Sequence, residues 1–190
     1  MTARMFALLE LKTLYILLNL LGVTFGAGGA LAADIFFLSA WKDRVISSSE
    51  GRLIRMAGNF TWLGITFFIV SGALLFAFEP EPFLTSSKFL AEISIMLVIV
   101  INAAVIHLRH LPLLLRLEGV RLTHSALFFE KSGVLFISAA ISIVSWLFIV
   151  GFGIVRFLPY SYTAIMTAYG VALIFALLVM SAARRRVLGC

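Results

Sequence analysis

The sequence predicts an all-α membrane protein built as a bundle of five transmembrane helices. Hydrophobic residues make up 62% of the chain and charged residues only 13%, which is too little charge to cover the surface of a water-soluble domain. The apolar residues form five long, continuous runs, and a helix needs about 20 such residues to cross the hydrocarbon core. A transmembrane β-barrel would instead show short segments of alternating polarity.

The five predicted spans lie in a single domain, and none contains an internal proline. The domain covers residues 1–190, and the spans cover residues 13–41, 58–78, 89–107, 133–157 and 162–183. Because proline removes a backbone hydrogen bond, Pro80 and Pro82 end the second span, and Pro159 separates the last two. We expect Pro112 to turn the chain after the third span. Residues 112–131 then form an interfacial amphipathic segment or extend the fourth helix.

The first span begins like a secretory signal, because Arg4 and Lys12 precede an apolar stretch with small residues near its end. The apolar run continues past that point through residues 35–38, so we expect an uncleaved helix. Small residues recur at every fourth position: Gly22, Gly26 and Ala30. This spacing predicts close helix packing, either inside the bundle or between two copies of the chain.

Asp34 is the strongest candidate for chemistry in the first span. It lies seven residues, or about 10 Å of helix rise, before Trp41, which is typical of an interfacial anchor. Gly26 and Ala30 fall on the same side of the helix, so we expect Asp34 to point into the bundle. It then acts as a proton carrier, a cation ligand or a partner of His107. The alternative is a structural hydrogen bond to a neighbouring helix.

The third span ends with two histidines, His107 and His110. Residues three apart share one face of an α-helix, so the two imidazoles are placed to share a metal ion, and imidazole also suits haem iron. His124 follows in a loop predicted on the same side of the membrane. We therefore predict a metal or haem site with four ligands: His107, His110, Asp34 and His124. The alternative is a pair of interfacial histidines beside Arg109.

Glu92 lies near the other end of the third span. It precedes His107 by fifteen residues, about 22 Å of helix rise, so the two cannot bind one ion. They can mark the ends of a polar route. The predicted proton or ion path consists of Asp34, Glu92, Asn102 and Asn59. The alternative is that Glu92 pairs with Lys88, four residues earlier.

The last two spans carry few groups for chemistry. Three serines lie on the fourth span: Ser138, Ser142 and Ser145. Hydroxyl groups in such helices bond a carbonyl one turn back or bridge two helices, which predicts packing rather than a pore lining. The fifth span ends in three arginines: Arg184, Arg185 and Arg186. We expect these arginines to attract anionic lipid and to fix the orientation of the chain.

Lysine and arginine fall unevenly on the two sides of the membrane. Eleven of the fifteen lie in the first–second connection, the third–fourth connection and the C-terminal tail. The other four are Arg4, Lys12, Lys88 and Arg156. Because positive residues stay in the cytoplasm, we predict an outside N-terminus and a cytoplasmic C-terminus in a bacterial inner (plasma) membrane. The net charge of +6 then needs no nucleic-acid partner.

The sequence carries no enzyme signature, and we predict no catalytic residue. It has no phosphate-binding glycine loop, no nucleophile elbow and no metalloprotease motif. The single cysteine, Cys190, closes no intrachain disulfide. The expected partners are the lipid bilayer and, through small and aromatic helix faces, a second copy of the chain or a larger membrane complex.

The first three spans resemble known proteins in several short motifs. These are Gly26-Ala27-Gly28-Gly29 leading to Asp34 and Phe36-Phe37, Trp62-Leu63-Gly64 before Ser71-Gly72, Lys88-Phe89-Leu90, and Asn102 to His107. Over residues 14–112 the chain resembles small bacterial inner-membrane proteins of uncharacterised function. It is more distantly similar to copper-resistance-D-type membrane domains. That resemblance implies metal or haem handling, with His107 as the matching position.

Two functional hypotheses follow from these observations. In the first, a histidine and aspartate site in the cytoplasmic leaflet handles a transition metal or haem. In the second, the protein has no cofactor and is a proton or ion transport protein, or an accessory subunit of a larger complex. Asp34 then carries the ion, or the bundle docks against its partners.

Overall fold

The structure is a computed structural model that describes residues 2–43, 45–122, 125–155 and 158–188. Its helices are α1 (Thr2–Asp43), α2 (Ser48–Phe78), α3 (Glu81–Leu84), α4 (Ser87–Val105), a π-helical turn (Ile106–His110), α5 (Leu111–Arg116), α6 (Ala126–Ile154) and α7 (Tyr162–Leu188). Five helical stretches in these ranges are long and apolar enough to cross a membrane, and the third runs from Ser87 to Arg116. The predicted fold class, an all-α bundle of five transmembrane helices, is confirmed.

Helices α1, α2 and α6 begin well before the apolar runs that predict them, and capping side chains explain the starts of α2 and α6. Ser47 caps α2, because its Oγ accepts a hydrogen bond from the Glu50 N–H while a Glu50 carboxylate oxygen accepts one from the Ser47 N–H. This capping box satisfies two backbone donors that the first turn leaves free. Ser125 caps α6 in a similar way through the Phe128 N–H. Of the two alternatives for residues 112–131, the segment after Ser125 is therefore an extension of the fourth helix.

The expected turn at Pro112 is wrong, because the third helix continues through this residue to Arg116. The π-helical turn directly precedes Pro112, and the Leu111 N–H bonds the Ile106 carbonyl five residues back. A proline ring clashes with the carbonyl four residues earlier and provides no N–H. A single wider turn accommodates both effects without ending the helix.

Helices α1 and α2 cross with their backbones in contact. A Cβ atom added at Gly22 would meet the backbone of Phe68, and one added at Gly64 would overlap the backbone of Gly26. Farther along the crossing, a Cβ at Gly29 would meet the Ala57 carbonyl oxygen and the backbone nitrogen of Thr61. The small face of α1 thus packs inside the bundle, which is the first of the two alternatives for it.

Helix α6 is the central helix of the bundle, and it packs against α1, α4 and α7. Half of the residues in its most apolar stretch are buried, compared with 11% in the corresponding stretch of the peripheral α7. Its Trp146, Ile149 and Phe152 belong to the main core together with Ile95 of α4 and Ile165 of α7. Most of the α7 surface is therefore exposed on the outside of the bundle.

The α1–α2 connection, the α5–α6 connection and the end of α7 meet at one end of the bundle, here called the basic end. Ile46 is fully buried, and its carbonyl accepts a hydrogen bond of 2.9 Å from the N–H of Gly119. Gly119 has a φ of 74°, a conformation that favours glycine. The Nε of Arg184 donates to the Ser132 hydroxyl over 2.9 Å and brings the end of α7 to the start of α6.

Polar contacts hold the opposite end of the bundle. Lys12 pairs with Glu79 at 2.7 Å and joins the start of α1 to the end of α2. The Nζ of Lys88 donates to the Val155 carbonyl at 2.8 Å and joins the start of α4 to the end of α6. Both contacts are exposed, so each contributes about 1 kcal/mol or less to stability.

We predict that Gly64→Ala destabilises the bundle and that Gly72→Ala does not. The added methyl at position 64 overlaps the backbone of Gly26, whereas a Cβ at position 72 of the same helix meets nothing within 4 Å. Overpacking of this kind costs about 1–3 kcal/mol. Thermal unfolding in mild detergent measures the difference, and equal unfolding temperatures for the two variants would contradict the crossing.

Candidate functional site

Two small adjoining cavities lie between the helices and share Asp34 in their walls. The first, here called the His107 cavity, has a volume of about 80 Å³, and the second, here called the His110 cavity, about 100 Å³. Besides Asp34, both cavities are lined by apolar side chains of α1, α2, the π-helical turn and α5: Ala33, Ile54, Ile106 and Leu114. Each has room for a few water molecules, since one water needs about 10–15 Å³ of such space.

Asp34 carries a buried acceptor that the fold leaves unpaired. Its Oδ2 is inaccessible and has no hydrogen-bond partner among the residues that the structure describes. Burying a polar group without a hydrogen bond costs about 1–3 kcal/mol in proteins, and more for an isolated charge. The predicted inward orientation of Asp34 agrees with this placement. The predicted alternative, a hydrogen bond to a neighbouring helix, is not formed by Oδ2 within the described ranges.

The wall of the His107 cavity combines aromatic rings with a few polar groups. Trp62 lies edge-on to the His107 ring, with 6.3 Å between ring centroids and an interplanar angle of 85°. Trp146 of α6 also lines the cavity, and its ring fills the space that a Cβ at Gly26 would occupy. The Thr61 hydroxyl at the cavity donates to the Ala57 carbonyl over 3.1 Å and is therefore satisfied inside its own helix.

A buried polar cluster attaches the third transmembrane helix to α6 at Ser138. The side-chain amide of Asn102 donates to the Ser138 carbonyl over 2.9 Å. The Nε2 atom of His110 lies 3.0 Å from the Ser138 hydroxyl oxygen. All three residues are at least 93% buried. These bonds fix the rotation of the π-helical turn relative to α6.

The π-helical turn places His107 and His110 in different cavities, although the sequence pattern predicts that they share one face. Three α-helical steps of about 100° leave two residues roughly 60° apart. A π turn takes more residues to complete a circle, so each step is smaller and the angular separation is larger. His107 accordingly lines the first cavity with Asp34, and His110 lines the second with Asp34.

The residues around Asp34 do not fit a haem group. Pockets for ligands of drug size have volumes of about 300–1,000 Å³, and each cavity here holds a third of the lower value or less. A metal ion is also poorly provided with ligands. No group of three His, Cys, Asp or Glu residues is close enough to hold one in the described part of the chain. Structural and catalytic zinc sites use three or four protein ligands.

Several predicted positions fall where the structure gives no description. His124, Arg44, Arg156 and Cys190 lie outside the described residues. The side chains of Trp41 and Arg186 are likewise not among those described. The predicted four-ligand site is therefore represented in the structure by Asp34, His107 and His110.

The structure brings only two of the four predicted path residues together. Asp34 and Asn102 line the same cavity, whereas Glu92 lines neither cavity and lies 3.7 Å from Lys88, as its alternative predicts. Asn59 is exposed on the outer face of α2, and Thr61 lines the cavity in its place. Two residues along a helix correspond to about 200° of rotation, which separates the two positions.

Access to the two cavities differs between the ends of the bundle. Towards the opposite end, the main core closes the interior with the packed side chains of Ile95, Met96 and Phe152. Towards the basic end, His110 lines both the His110 cavity and a surface cleft between α5 and α6. His110 therefore forms part of the wall of both the interior cavity and the surface cleft.

Comparison of the chain with models of protein families, with curated proteins and with solved structures finds no match.

We predict that Asn102→Leu destabilises the bundle more than Asn59→Leu. The substitution at position 102 removes a buried hydrogen bond to α6 and keeps most of the side-chain volume, whereas Asn59 is exposed. Interhelical hydrogen bonds of this type contribute about 0.6–2 kcal/mol. Unfolding curves in detergent provide the measurement, and the prediction fails if the two variants lose the same stability.

Proposed function

We propose that this integral membrane protein is a cofactor-free transport protein in which Asp34 takes up and releases a proton. The observation that supports the proposal most directly is the buried Oδ2 atom with no partner in the described ranges, on the shared wall of two water-sized cavities. Ionisable groups inside a membrane protein mark proton and ion pathways more often than structural sites.

No described basic side chain lies beside Asp34 in the cavity walls, which favours a mobile cation as the counter-charge of its carboxylate. An ionised carboxylate inside a bilayer needs a compensating positive charge. No lysine or arginine of the described residues lines either cavity. A proton is the smallest cation that satisfies this requirement, and the cavities have room for the few water molecules that would conduct it.

The shape of the interior supports a route on one side of the membrane. His110 lines both the His110 cavity and the surface cleft at the basic end, and imidazole both accepts and donates protons. The excess of lysine and arginine at the basic end supports a cytoplasmic location for it in a bacterial inner membrane. In this orientation protons reach the cavities from the cytoplasmic side, and transport requires a second conformation in which the main core separates.

We predict that Asp34→Asn strongly reduces proton movement and that Glu92→Gln does not. Both changes neutralise a carboxylate within a candidate membrane-spanning helix, Asp34 in α1 and Glu92 in α4. Only Asp34 lines the cavities. In liposomes with a trapped pH dye and an imposed membrane potential, the flux should fall at least tenfold for Asp34→Asn. An equal flux for wild type and Asp34→Asn, with folded protein, would reject the proposal.

The same preparation measures the orientation of the chain. Cys190 is the single cysteine, so an impermeant maleimide labels only those chains whose C-terminus faces the outside of the vesicle. In intact cells, the proposed orientation requires that Cys190 remains unlabelled until the membrane is opened.

A second candidate function is binding of a transition metal, and one observation favours it. Asp34 and His107 line the same cavity, and both are donors for such metals. The resemblance to copper-resistance-D-type domains points to the same histidine. Two protein ligands then need further donors from water or from a second chain.

Metal content distinguishes the two candidates. If the second candidate is correct, the protein purified in mild detergent carries stoichiometric copper, iron or zinc, and His107→Ala removes it while His110→Ala retains it, because only His107 shares the first cavity with Asp34. Proton transport instead predicts metal-free protein with normal flux. Elemental analysis of the three proteins provides the measurement.

A further inference from the structure

A positively charged cleft lies on the surface of the basic end, where the third transmembrane helix meets the start of α6. Its volume is about 460 Å³, and it is open to the outside of the bundle. Three cationic side chains line it, Arg109 and Arg116 from the third helix and Lys131 from α6. Apolar side chains form the remaining wall, including Leu108, Leu127 and Val134.

The positive charge of the cleft is not neutralised by the described protein. Neither Arg109 nor Arg116 has an ion pair or a side-chain hydrogen bond with any described residue. Lys131 pairs with its neighbour Glu130 at 2.6 Å, but both side chains are exposed, so the pair contributes little. No acidic residue of the described chain lines the cleft.

The position of Arg109 favours an anionic partner. It lies seven residues before Arg116, about 10 Å of helix rise, near the end of a 30-residue helical stretch that is longer than the roughly 20 residues needed to cross the hydrocarbon core. The adjacent Leu108 is 72% exposed, as expected for a side chain that faces lipid. An exposed arginine near this end of the helix extends its long side chain towards the interface, where an anionic headgroup supplies the counter-charge.

We infer that the cleft binds one anionic phospholipid. The guanidinium groups of Arg109 and Arg116 hold the phosphate, Lys131 adds positive charge, and an acyl chain follows the apolar wall at Leu127 and Val134. Guanidinium groups match phosphate oxygens with paired, charge-assisted hydrogen bonds. Basic pockets between transmembrane helices are typical sites for anionic headgroups. The apolar wall favours a lipid over a soluble phosphate compound.

The experiment measures the thermal unfolding of the full chain in a neutral detergent during titration with phosphatidylglycerol. Wild-type protein should show a saturable rise in unfolding temperature, and phosphatidylcholine should give no such rise. In the double variant Arg109→Gln/Arg116→Gln, the half-saturating concentration of phosphatidylglycerol should increase at least tenfold, which corresponds to about 1.4 kcal/mol of binding free energy.

A matched double variant, Arg52→Gln/Arg55→Gln, tests whether the effect is local. Both of these arginines are exposed in the first turns of α2, near the basic end, and neither lines the cleft. The control variant removes the same charge and should keep the wild-type titration. An equal loss of affinity in the two double variants would show attraction to the general surface potential and would overturn the inference.

One further titration distinguishes the source of the phosphate. An alternative double variant keeps the test valid if the first variant does not fold. Titration with glycerol phosphate should leave the unfolding temperature unchanged, and a rise equal to that with phosphatidylglycerol would overturn the lipid as occupant. If the double glutamine variant does not fold, Arg109→Lys/Arg116→Lys is used. This variant keeps the charge but loses the paired hydrogen bonds, so its half-saturating concentration should increase, and an unchanged value would overturn the role of the guanidinium groups.

Discussion

The contact between the backbones of α1 and α2 is the constraint on which the interior of this bundle depends. Lipid chains are as apolar as the helix surfaces, so helices associate in a membrane mainly through close packing. Gly26 is the point where this packing involves three helices, because it lies between Gly64 of α2 and the Trp146 ring of α6. The same ring forms part of the His107 cavity. The shape of the cavity therefore depends on the missing side chain at Gly26.

The wider turn before Pro112 is the second determinant of the site. It lets one helix continue to the basic end and also places two histidines in two different cavities around one carboxyl group. The bonds of Asn102 and His110 to Ser138 hold this turn against α6. A regular α-helix would place both imidazoles on one side, where a shared metal ion would be the simpler interpretation.

The five transmembrane helices were predictable because length and apolar composition are local properties of the sequence. The inward position of Asp34 was predictable as well, because small residues lie on the same side of its helix. The true start of α2 depends on a polar capping box at Ser47 and Glu50, which an apolar run does not reveal. Pro112 with the preceding His-x-x-His was the available signal for the π turn, but proline more often ends a helix. The role of Ser138 depends on contacts between helices, which the sequence pattern of one helix does not contain.

The two ends of the bundle are joined by different contacts, although both include apolar packing, as between Phe83 and Phe89 at the opposite end. At the basic end, Ile46, Leu122 and Phe128 are fully buried in a satellite core, and exposing one such side chain to water costs about 1.5–3 kcal/mol. At the opposite end, exposed polar contacts such as the Lys12–Glu79 pair join neighbouring helices, and salt screens contacts of this kind. The apolar side chains beneath these contacts remain in an apolar environment when the helices separate, because lipid then surrounds them. Their separation therefore has no hydrophobic cost. The Lys12–Glu79 contact therefore weakens as ionic strength rises, whereas the satellite core at the basic end is insensitive to salt.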